Sequence, residues 1–587
     1  MRNHGIREAV RTMKYTDEKN IQILISLLKK HNIKNIIASP GATNISFVAS
    51  VQDDGFFNVY SCVDERSAAY LACGMAEETG EPVVITCTGA TASRNYVPGL
   101  TEAFYRKLPV IAVTASQHFA RIGQNVPQVI DRSVQLNDTV KKNVQIGSVR
   151  TDEDRWECNL KINDALLETK NDGGGPVLIN IVTDYCNGFN CEKLPDERKI
   201  DRISADGDFP EIKGKNVAVY IGAHCRMSDR LTGAIQTFCE KYNAAVLCDR
   251  TSNYNGKYKV PANIIFDQEV SCGIPDADLL IDIGNVSGSY MSVRMKEVWR
   301  VNPDGIIRDK WRKLRYIFKA EEVAFFEKYN GMTEEVSDLS YYDTLNTKRL
   351  SLEEKFNALD LPFSNIFVAR EINGYLRDGD IVHLGILNTL RSWNFIMPKT
   401  DIPCFCNTGG FGIDGVVSTA LGASLATDKT VYCIVGDLAF FYDMNVIGNR
   451  ELKNNLRILL INNGCGTEFR NYNHRAVSVA ENTGVSLDYI SASGHFGNRS
   501  PDLVRNYAED LGFRYFSARN KDEFFENIAE FTAEDSDRPM LFEIFTDPDC
   551  ENAALKMTKT LEVNAKSVIK SILGEKGVKI AKKLLNR

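Results

Sequence analysis

The sequence predicts an α/β protein made of three doubly wound parallel-sheet domains. Short apolar segments alternate with segments of helical length over most of the chain, which is typical of parallel sheets covered by helices on both faces. Several short segments, such as residues 82–87 and 458–461, are apolar at nearly every position, as in strands that are buried on both faces. A chain of 587 residues is also too long for a single core.

Polar stretches divide this alternation into three parts. Residues 184–215 and residues 328–361 are rich in charged and turn-forming side chains, and we interpret both as linkers. The predicted domains are therefore residues 1–190, residues 191–345 and residues 346–587.

The predicted elements follow from the apolar pattern in each domain. The first domain has predicted strands at residues 33–38, 57–62, 82–87 and 109–115, and predicted helices at residues 65–78 and in the segment ending at residue 104. The second has predicted strands at residues 217–222, 244–248 and 279–284. In the third, a helix at 367–375 and a strand at 381–384 precede a glycine-rich loop at 408–415. Two further strands, 431–435 and 458–461, are separated by residues 439–456, which have the length of a crossover helix.

Composition and charge exclude several classes of function. The net charge of -7 leaves no basic domain of the kind that binds nucleic acid. There is no apolar run of about 18 residues and no apolar core of a signal peptide at the start, so we predict no membrane contact. The fifteen cysteines are scattered without a repeated spacing, which favours free thiols and a cytoplasmic location. The second domain lacks a Gly-x-Gly-x-x-Gly fingerprint, so no dinucleotide site is predicted there.

The residues most informative about function follow two strands of the third domain. The strand at 431–435 ends in Gly436-Asp437, and 26 residues after Asp437 the next apolar run has ended in Asn462-Asn463-Gly464. Parallel strands would place the acidic and the amide side chain at one edge of a sheet, where open α/β folds bind ligands. Oxygen ligands of this kind suit Mg²⁺ that holds a diphosphate. The alternative is that these residues only form turns.

The same residues resemble the cofactor signature of thiamine diphosphate enzymes, in which Gly-Asp-X is followed by Asn-Asn. A second segment, residues 62–76, resembles the glutamate-bearing helix of the thiamine diphosphate decarboxylase and carboligase superfamily. The resemblance implies thiamine diphosphate and Mg²⁺ as cofactors, with the Asp437 and Asn463 side chains and the Cys465 carbonyl as metal ligands. It also implies a first domain that binds the pyrimidine and a third that binds the diphosphate, with the middle domain between them in the sequence.

Glu65 is the predicted catalytic carboxyl. By resemblance it hydrogen-bonds the pyrimidine ring and promotes loss of the thiazolium proton. It follows a predicted strand and precedes an apolar helix, where burial would favour a shared proton. The alternative is that Asp64-Glu65 only begins a helix and complements its dipole. The resemblance also places four further residues against the cofactor, with Ile413 either supporting its bent shape or packing in the core: Gly412, Ile413, Gly436 and Leu438.

Within the superfamily, the chain is most similar to the 2-succinyl-5-enolpyruvyl-6-hydroxy-3-cyclohexene-1-carboxylate synthases of menaquinone biosynthesis, through residues 299–305, 412–420 and 436–445. That family has Pro-Gly-Ser-Arg after its first strand, where the arginine binds substrate carboxylates, but this chain has Pro40-Gly41-Ala42-Thr43. A later Asn-Ser motif with a downstream arginine corresponds to Asn388 and Arg391, with the arginine closer to the asparagine. Because a two-hydrogen-bond grip on a carboxylate does not tolerate such a shift, we expect a different product.

Other features are similar to acetolactate synthases. No His-His pair of the pyruvate decarboxylase kind follows the strand at 109–115, and Gln128 corresponds to the glutamine that faces the reacting carbon in acetolactate synthases. His118 is a further candidate near the substrate. The segment after the Asn-Asn motif folds over the cofactor in this superfamily, so Arg470 and His474 are candidates to bind an anionic substrate. Each of these residues has the alternative of lying in a solvated loop.

The resemblance implies an enzyme that decarboxylates a 2-oxo acid and transfers the acyl carbanion to a carbonyl or enoyl acceptor. It further implies a homodimer or homotetramer in which two subunits complete each cofactor site. Such an enzyme is a transferase, and the main alternative is a 2-oxo acid decarboxylase that releases an aldehyde. Alternatives of other classes are a nucleotide- or flavin-binding scaffold without thiamine chemistry and a catalytically silent relative.

Overall fold

The structure is a computed structural model that describes residues 14–289, 291–397, 401–494 and 500–562. Its contacts separate two compact units. The first contains the described residues up to Ile203 together with Gly305–Ile317. The second contains Ser204–Asp304 together with the described residues from Phe318 onward.

The first unit contains a six-stranded parallel sheet. Its strands are β1 (Asn35–Ala38), β2 (Asn58–Ser61), β3 (Val83–Cys87), β4 (Val110–Ser116), β5 (Lys142–Ile146) and β6 (Val177–Val182), and its helices are α1 (Lys19–Lys30), α2 (Ile45–Val51), α3 (Glu65–Thr79), α4 (Thr91–Asn95), α5 (Val97–Tyr105) and α6 (Asp152–Glu168). The strand order is β2-β1-β3-β4-β6-β5, and every pairing is parallel.

Helices cover both faces of this sheet. Because side chains alternate between the faces of a strand, Val84 and Ile111 pack with α1 and α6, whereas their neighbours Val83 and Val110 pack with α3 and α5. Every residue of β3 and β4 is buried. The double-sided burial confirms the predicted doubly wound class in this part of the chain.

The second unit begins with a second parallel sheet. Its strands have the order β10-β9-β8-β11-β12, and they alternate with helices. The elements are β8 (Val217–Ile221), α7 (Asp229–Tyr242), β9 (Ala244–Cys248), β10 (Lys259–Pro261), α8 (Asn263–Phe266), β11 (Ala277–Ile283) and β12 (Met295–Val301). Two short strands, β7 (Asp201–Ser204) and β13 (Leu314–Lys319), lie where the chain passes from one unit to the other.

The predicted linker at residues 328–361 is mostly helical, so this prediction was wrong. Helix α9 (Glu322–Asn330) extends into it, and α10 (Ser340–Asn357) occupies most of the remainder. The buried side chains of α10 are spaced at helical intervals, although charged and hydroxyl residues separate them, and they are Tyr341, Leu345, Leu352 and Phe356. The polar composition therefore concealed one narrow apolar face.

The last part of the second unit contains the third parallel sheet, with the strand order β15-β14-β16-β17-β19-β18. Its strands are β14 (Ile381–Leu384), β15 (Cys404–Cys406), β16 (Val431–Gly436), β17 (Leu456–Asn462), β18 (Arg514–Ala518) and β19 (Met540–Phe545). Its helices are α11 (Asn365–Ile372), α12 (Asn388–Asn394), α13 (Val416–Leu425), α14 (Asp437–Asp443), α15 (Arg475–Thr483), α16 (Leu503–Asp510), α17 (Lys521–Phe531) and α18 (Pro548–Lys559).

The connection between β16 and β17 differs from the expected crossover helix over residues 439–456. Helix α14 begins immediately after β16, contains only seven residues and is followed by a 3-10 turn, Met444–Gly448. At its end, the Asp443 carboxylate accepts hydrogen bonds from the Ser418 backbone N–H and hydroxyl at 2.7 and 2.6 Å. Asp443 therefore supplies a hydrogen-bond acceptor for a backbone N–H group in the first turn of α13.

None of the helices in the described residues is both long and apolar enough to cross a membrane.

Candidate active site

The two predicted cofactor motifs of the third sheet lie side by side. Strands β16 and β17 are adjacent and parallel, with Gly436 opposite Ile461, so the residues that follow them leave the sheet at the same edge. The Asp437 carboxylate joins the two motifs directly. One of its oxygens accepts from the Leu438 N–H at 2.8 Å, and the other accepts from the Gly464 N–H at 2.7 Å.

Asp437 is a buried carboxylate at the end of β16. Its side chain is 3% exposed, and burial raises its pKa to about 6, although the backbone N–H groups of Leu438 and Gly464 oppose the shift. Among the described residues it forms no ion pair within 4.0 Å. A buried negative charge is costly without a positive partner, and a bound cation would supply one.

The neighbouring oxygens complete a donor set that fits Mg²⁺. The Asn463 side-chain oxygen is buried and has no hydrogen-bond partner among the described residues. The Cys465 carbonyl accepts from the Thr467 N–H at 2.9 Å and from the Thr467 hydroxyl at 3.5 Å, and the second of these is a long contact that a cation would replace. A carboxylate, an amide oxygen and a backbone carbonyl are ligands that a hard cation prefers. These residues therefore fit the metal that the resemblance implies.

The glycine-rich loop before α13 has an open side. Gly412 is exposed, and Ile413 is half-buried against the core of the third sheet, so part of the Ile413 side chain has an ordinary packing role. Gly415, the N-cap residue just before α13, has a φ of +80°. At the strand end, a Cβ added to Gly436 would meet no described atom within 4 Å, which leaves space beside Asp437.

Glu65 lies in the first unit, as the first residue of α3. Asp64 caps this helix by accepting from the Arg66 N–H at 3.1 Å, which leaves the Glu65 carboxylate available for another partner. That carboxylate accepts a hydrogen bond from the Asn95 side-chain nitrogen at 3.0 Å. The expected burial of Glu65 is not provided by this unit, because the side chain is only half-buried.

The surface around Glu65 is unusually apolar. Strand β2 is the exposed edge of its sheet, and Val63, just before α3, is 74% exposed. On α3 itself, Tyr70 and Leu71 are 47% and 51% exposed. Large exposed apolar side chains of this kind are often found at protein interfaces.

Two segments of the chain match known protein families. Residues 19–135 match the family described as "Thiamine pyrophosphate enzyme, N-terminal TPP binding domain", and residues 390–544 match "Thiamine pyrophosphate enzyme, C-terminal TPP binding domain". Relatives from Phocaeicola vulgatus and Bacteroides fragilis are each 30% identical to this chain and cover 92% of it and 98% of their own length. The chain belongs to the thiamine pyrophosphate enzyme family.

Both of these relatives, and a third from Bacteroides thetaiotaomicron that is 29% identical with the same coverage, are named 2-succinyl-5-enolpyruvyl-6-hydroxy-3-cyclohexene-1-carboxylate synthase. The two matched segments of this thiamine pyrophosphate enzyme contain the two sites described above. Glu65 lies in the N-terminal match, and Asp437 and Asn463 lie in the C-terminal match.

Among the predicted substrate residues of this thiamine pyrophosphate enzyme, Arg391 is already paired. Its guanidinium forms two hydrogen bonds with the Glu468 carboxylate, at 2.6 and 2.7 Å, and a third with the Asn388 side-chain oxygen at 2.9 Å. Arg391, Glu468 and His474 line one cavity of about 150 Å³. Three of the predicted substrate residues, Asn388, Arg391 and His474, are therefore neighbours, with Arg391 neutralised.

His474 and Arg470 have different orientations. The His474 side chain caps α15, because its Nδ1 accepts from the Ala476 N–H at 3.0 Å. In the neutral ring this leaves Nε2 as the donor. Arg470 instead donates to Ser491 at 2.9 Å and to Asp488 and Ser493 at 2.8 Å. Its side chain therefore holds its own loop together, and it does not line the cavity with Arg391.

His118 and Gln128 lie in the irregular segment after β4 of the first unit. His118 caps a 3-10 turn, with its Nδ1 accepting from the Ala120 N–H at 3.2 Å. Gln128 is exposed and has a φ of +62°, a conformation that side-chain-bearing residues rarely adopt. Such strained positions cluster at functional sites, and this one lies where the resemblance places a residue near the reacting carbon.

The first unit also has a buried cation that sequence reasoning missed. The Arg132 side chain is 2% exposed, and two of its guanidinium nitrogens have no hydrogen-bond partner among the described residues. A Cβ added at Gly89 would lie 3.4 Å from its third nitrogen, so this guanidinium packs against the turn that follows β3. Arginine in a polar segment carries no pattern that predicts such burial.

Glu551 is the second residue that sequence reasoning missed. It lies on α18, and its carboxylate accepts from the Asn365 N–H at 3.0 Å, at the start of α11, and from the Thr546 hydroxyl at 2.7 Å. Burial raises its pKa to about 7, and the negative charges of Asp547 and Asp437 act in the same direction. No local motif marks it, because its partner Asn365 is distant in sequence.

We expect Glu551 to make the metal-free protein less stable at high pH. Its pKa in the folded chain, about 7, exceeds the ordinary value of 4.5, so the folded state binds the proton more tightly than the unfolded state. Its contribution to stability is therefore full below about pH 4.5 and is lost as the pH rises through 7, by at most about 3 kcal/mol. The melting temperature should consequently fall more between pH 6 and 8 in the native protein than in Glu551→Gln.

The exposed Glu526 offers a matched control. Glu526→Gln should keep the pH dependence of the native protein. A Glu551→Gln variant with an unchanged pH dependence would contradict the assignment of this group.

Proposed function

We propose that this chain is a thiamine diphosphate- and Mg²⁺-dependent enzyme that decarboxylates a 2-oxo acid and transfers the remaining acyl group to a carbonyl or enoyl acceptor. The observation that carries the proposal is that Asn463 and buried Asp437 follow adjacent strands at one sheet edge, and that the Asn463 side-chain oxygen is buried without a hydrogen-bond partner among the described residues. An ordinary turn would leave the Asn463 oxygen hydrogen-bonded or in solvent. Membership of the family supports the same cofactor.

In this proposal, Asp437, Asn463 and the Cys465 carbonyl hold Mg²⁺, and the cation holds the diphosphate. Gly436 leaves space beside the metal site, and the Leu438 N–H fixes one oxygen of the aspartate. Gly412 and Ile413 contact the middle of the cofactor. When bound, thiamine diphosphate supplies the electron sink that decarboxylation requires.

Glu65 holds and returns a proton at the pyrimidine ring. Its position at the start of α3, with the Asn95 amide on one oxygen, leaves the other oxygen for the ring. Gln128 and His118 are proposed to contact the substrate from the segment after β4. Asn388, Arg391, Arg470 and His474 are proposed as the substrate-side residues of the third sheet, with Arg470 acting through the shape of its loop.

The proposed assembly is a homodimer or homotetramer. Glu65 is only half-buried, and the large apolar side chains of α3 next to it are exposed. A second copy of the chain would cover this face and bury the carboxylate, which the proposed proton-holding role needs. All fifteen cysteines are free thiols, which supports a reducing compartment and hence the cytoplasm.

We propose a product different from that of the named relatives. The first loop has Thr43 where those enzymes are expected to have an arginine, and the Thr43 hydroxyl is engaged with Thr88 at 2.6 Å. Arg391 is held by Glu468. Two of the expected carboxylate-binding groups are therefore missing or occupied, which favours a substrate with fewer carboxylates.

The test is release of CO₂ from a panel of 2-oxo acids by the Mg²⁺- and thiamine diphosphate-loaded protein. We expect release from at least one acid, strict dependence on both cofactors and a higher rate when a carbonyl or enoyl acceptor is added. Mass spectrometry then identifies the joined product. If no acceptor changes the rate of CO₂ release and the product is an aldehyde, the result would support the simple decarboxylase instead. No release, together with flavin absorbance in the purified protein, would support the flavin-binding alternative.

A further inference from the structure

The second unit contains a cavity of about 310 Å³ that is lined by both its first and its last part. On one side are the ends of β9 and β10 and the start of α7, and on the other are the end of α12 and the residues before β15. Six charged side chains line it: Arg226, Asp229, Asp249, Arg250, Lys259 and Asp401. It does not contain Asp437, Asn463 or any of the other proposed metal ligands.

Arg250 is buried at this cavity without an oxygen acceptor among the described residues, and only the weakly accepting Cys404 thiol lies close to it. Its residue is 8% exposed, and none of its three guanidinium nitrogens has a hydrogen-bond partner among the described residues. Burial lowers the pKa of Arg250, and only the nearby Cys404 thiol opposes that shift. The guanidinium lies 5.3 Å from the centre of the Trp393 ring, a contact that accounts for one of its faces and none of its N–H groups.

Two further donors at the same cavity also lack partners. The Asn394 side-chain oxygen accepts from the Arg250 backbone N–H at 3.0 Å, which orients the amide so that its nitrogen is buried without a partner among the described residues. The Lys259 side chain forms no hydrogen bond or ion pair in the part of the chain that the structure describes. Burial lowers its pKa, and the Arg250 charge acts in the same direction.

The acidic residues of the lining form no ion pair with Arg250 or Lys259 among the described residues, although the more distant Asp401 charge partly opposes the lowering of the Lys259 pKa. Asp249 is engaged elsewhere, because its carboxylate accepts from the Thr251 N–H at 2.8 Å, from the Thr251 hydroxyl at 2.7 Å and from the Ser287 hydroxyl. Asp229 and Asp401 are exposed and form no ion pair with Arg250 or Lys259 among the described residues. The described part of the lining therefore presents several donors without a hydrogen-bonded acceptor, and the Arg250 and Lys259 side chains have no ion-pair partner there.

We propose that this cavity is a binding site for a small oxyanion, a carboxylate or a phosphate group, held by Arg250, Lys259 and the Asn394 amide. Guanidinium groups bind planar or tetrahedral oxyanions through paired N–H donors, and the ammonium adds charge. Leaving so many buried donors unpaired is unfavourable, whereas one anion would satisfy them together. The volume is near the lower limit for small-molecule sites, which fits a compact anion and not a dinucleotide.

The site is connected to the proposed active site through one helix. Asn394 is the last residue of α12, which begins at Asn388 and carries Arg391. A bound anion would fix the end of this seven-residue helix. The proposal itself concerns binding and does not depend on the proposed reaction.

The test is a thermal titration of the full chain with inorganic phosphate and, separately, with malonate, against potassium chloride at matched ionic strength. We expect at least one oxyanion to raise the melting temperature by about 2–5 °C beyond chloride. Arg250→Met and Lys259→Met should each lose this gain. Arg250→Met without ligand should be no less stable than the native protein, because it removes an unpaired buried charge.

Two controls locate the effect. Lys257→Met removes an exposed lysine two positions from Lys259 that does not line the cavity, and it should keep the full gain. Asp437→Asn alters the proposed metal site and should also keep it, which separates this cavity from the diphosphate site. Hydrogen exchange over residues 388–396 should slow on addition of the anion in the native protein only. The proposal would be overturned if neither oxyanion raised the melting temperature more than chloride does, or if the rise were as large in both methionine variants as in the native protein.

Discussion

The Asp437→Asn variant is expected to bind thiamine diphosphate in the presence of Mg²⁺ at least about 100-fold more weakly than the native protein. The carboxylate is the only negative charge in the proposed ligand set, and its loss leaves two neutral oxygens to hold a divalent cation. The amide keeps the size of the side chain. Only its oxygen can accept, so either the Leu438 or the Gly464 N–H group loses its acceptor. Calorimetric titration measures the affinity.

The same experiment has a definite pH dependence. Burial raises the pKa of Asp437 to about 6 in the cation-free chain, so Mg²⁺ must displace a proton below that pH. Affinity should therefore fall as the pH decreases from 7 to 5 in the native protein, and this component should be absent in Asp437→Asn.

Asp443→Asn is the matched control. Asp443 is a buried aspartate on the same helix, but its carboxylate holds Ser418. This variant should lose stability and keep its cofactor affinity. Equal affinity in Asp437→Asn and the native protein would contradict the metal assignment.

The second large effect concerns Glu65. Glu65→Gln should lower kcat by about 10²–10⁴-fold, because an amide cannot hold and return the proton at the pyrimidine ring. Cofactor affinity should change little, since the amide can still accept from Asn95. The split between turnover and binding is the informative result, and it is measured by steady-state kinetics and calorimetry on one preparation.

Asp64→Asn provides the comparison for Glu65. Asp64 is the adjacent acid and caps α3, and asparagine also caps helices well. This variant should retain nearly full activity. If Glu65→Gln were as active as Asp64→Asn, the carboxyl would have only the helix-starting role.

Sequence reasoning located the parts of the fold and the site that depend on local pattern. Wholly apolar runs predicted β3, β16 and β17, and the residues that follow β16 and β17 predicted where Asp437 and Asn463 would meet, because parallel neighbours end at one edge. Helix α10 escaped detection since only one residue in about four faces the core, and composition averages over both faces.

The remainder depends on contacts between distant segments. Glu551 accepts from Asn365, 186 positions earlier, and Arg391 pairs with Glu468, 77 positions later. The Arg250 cavity joins residues that are separated by more than 100 positions and becomes visible only as missing hydrogen bonds. The environment of Glu65 was misjudged for a related reason, because the apolar residues of α3 face outward as well as inward.

The pairing of Arg391 with Glu468 makes selectivity on that side of the site a matter of competition. Glu468 is tethered beside the guanidinium, so its effective concentration there is on the order of millimolar or more. A ligand carboxylate must displace the Glu468 carboxylate before it can form the same two hydrogen bonds with Arg391. The residue at position 468 therefore determines how much negative charge a ligand needs in order to bind Arg391. A single neutral replacement there would broaden the range of anions that bind in this cavity.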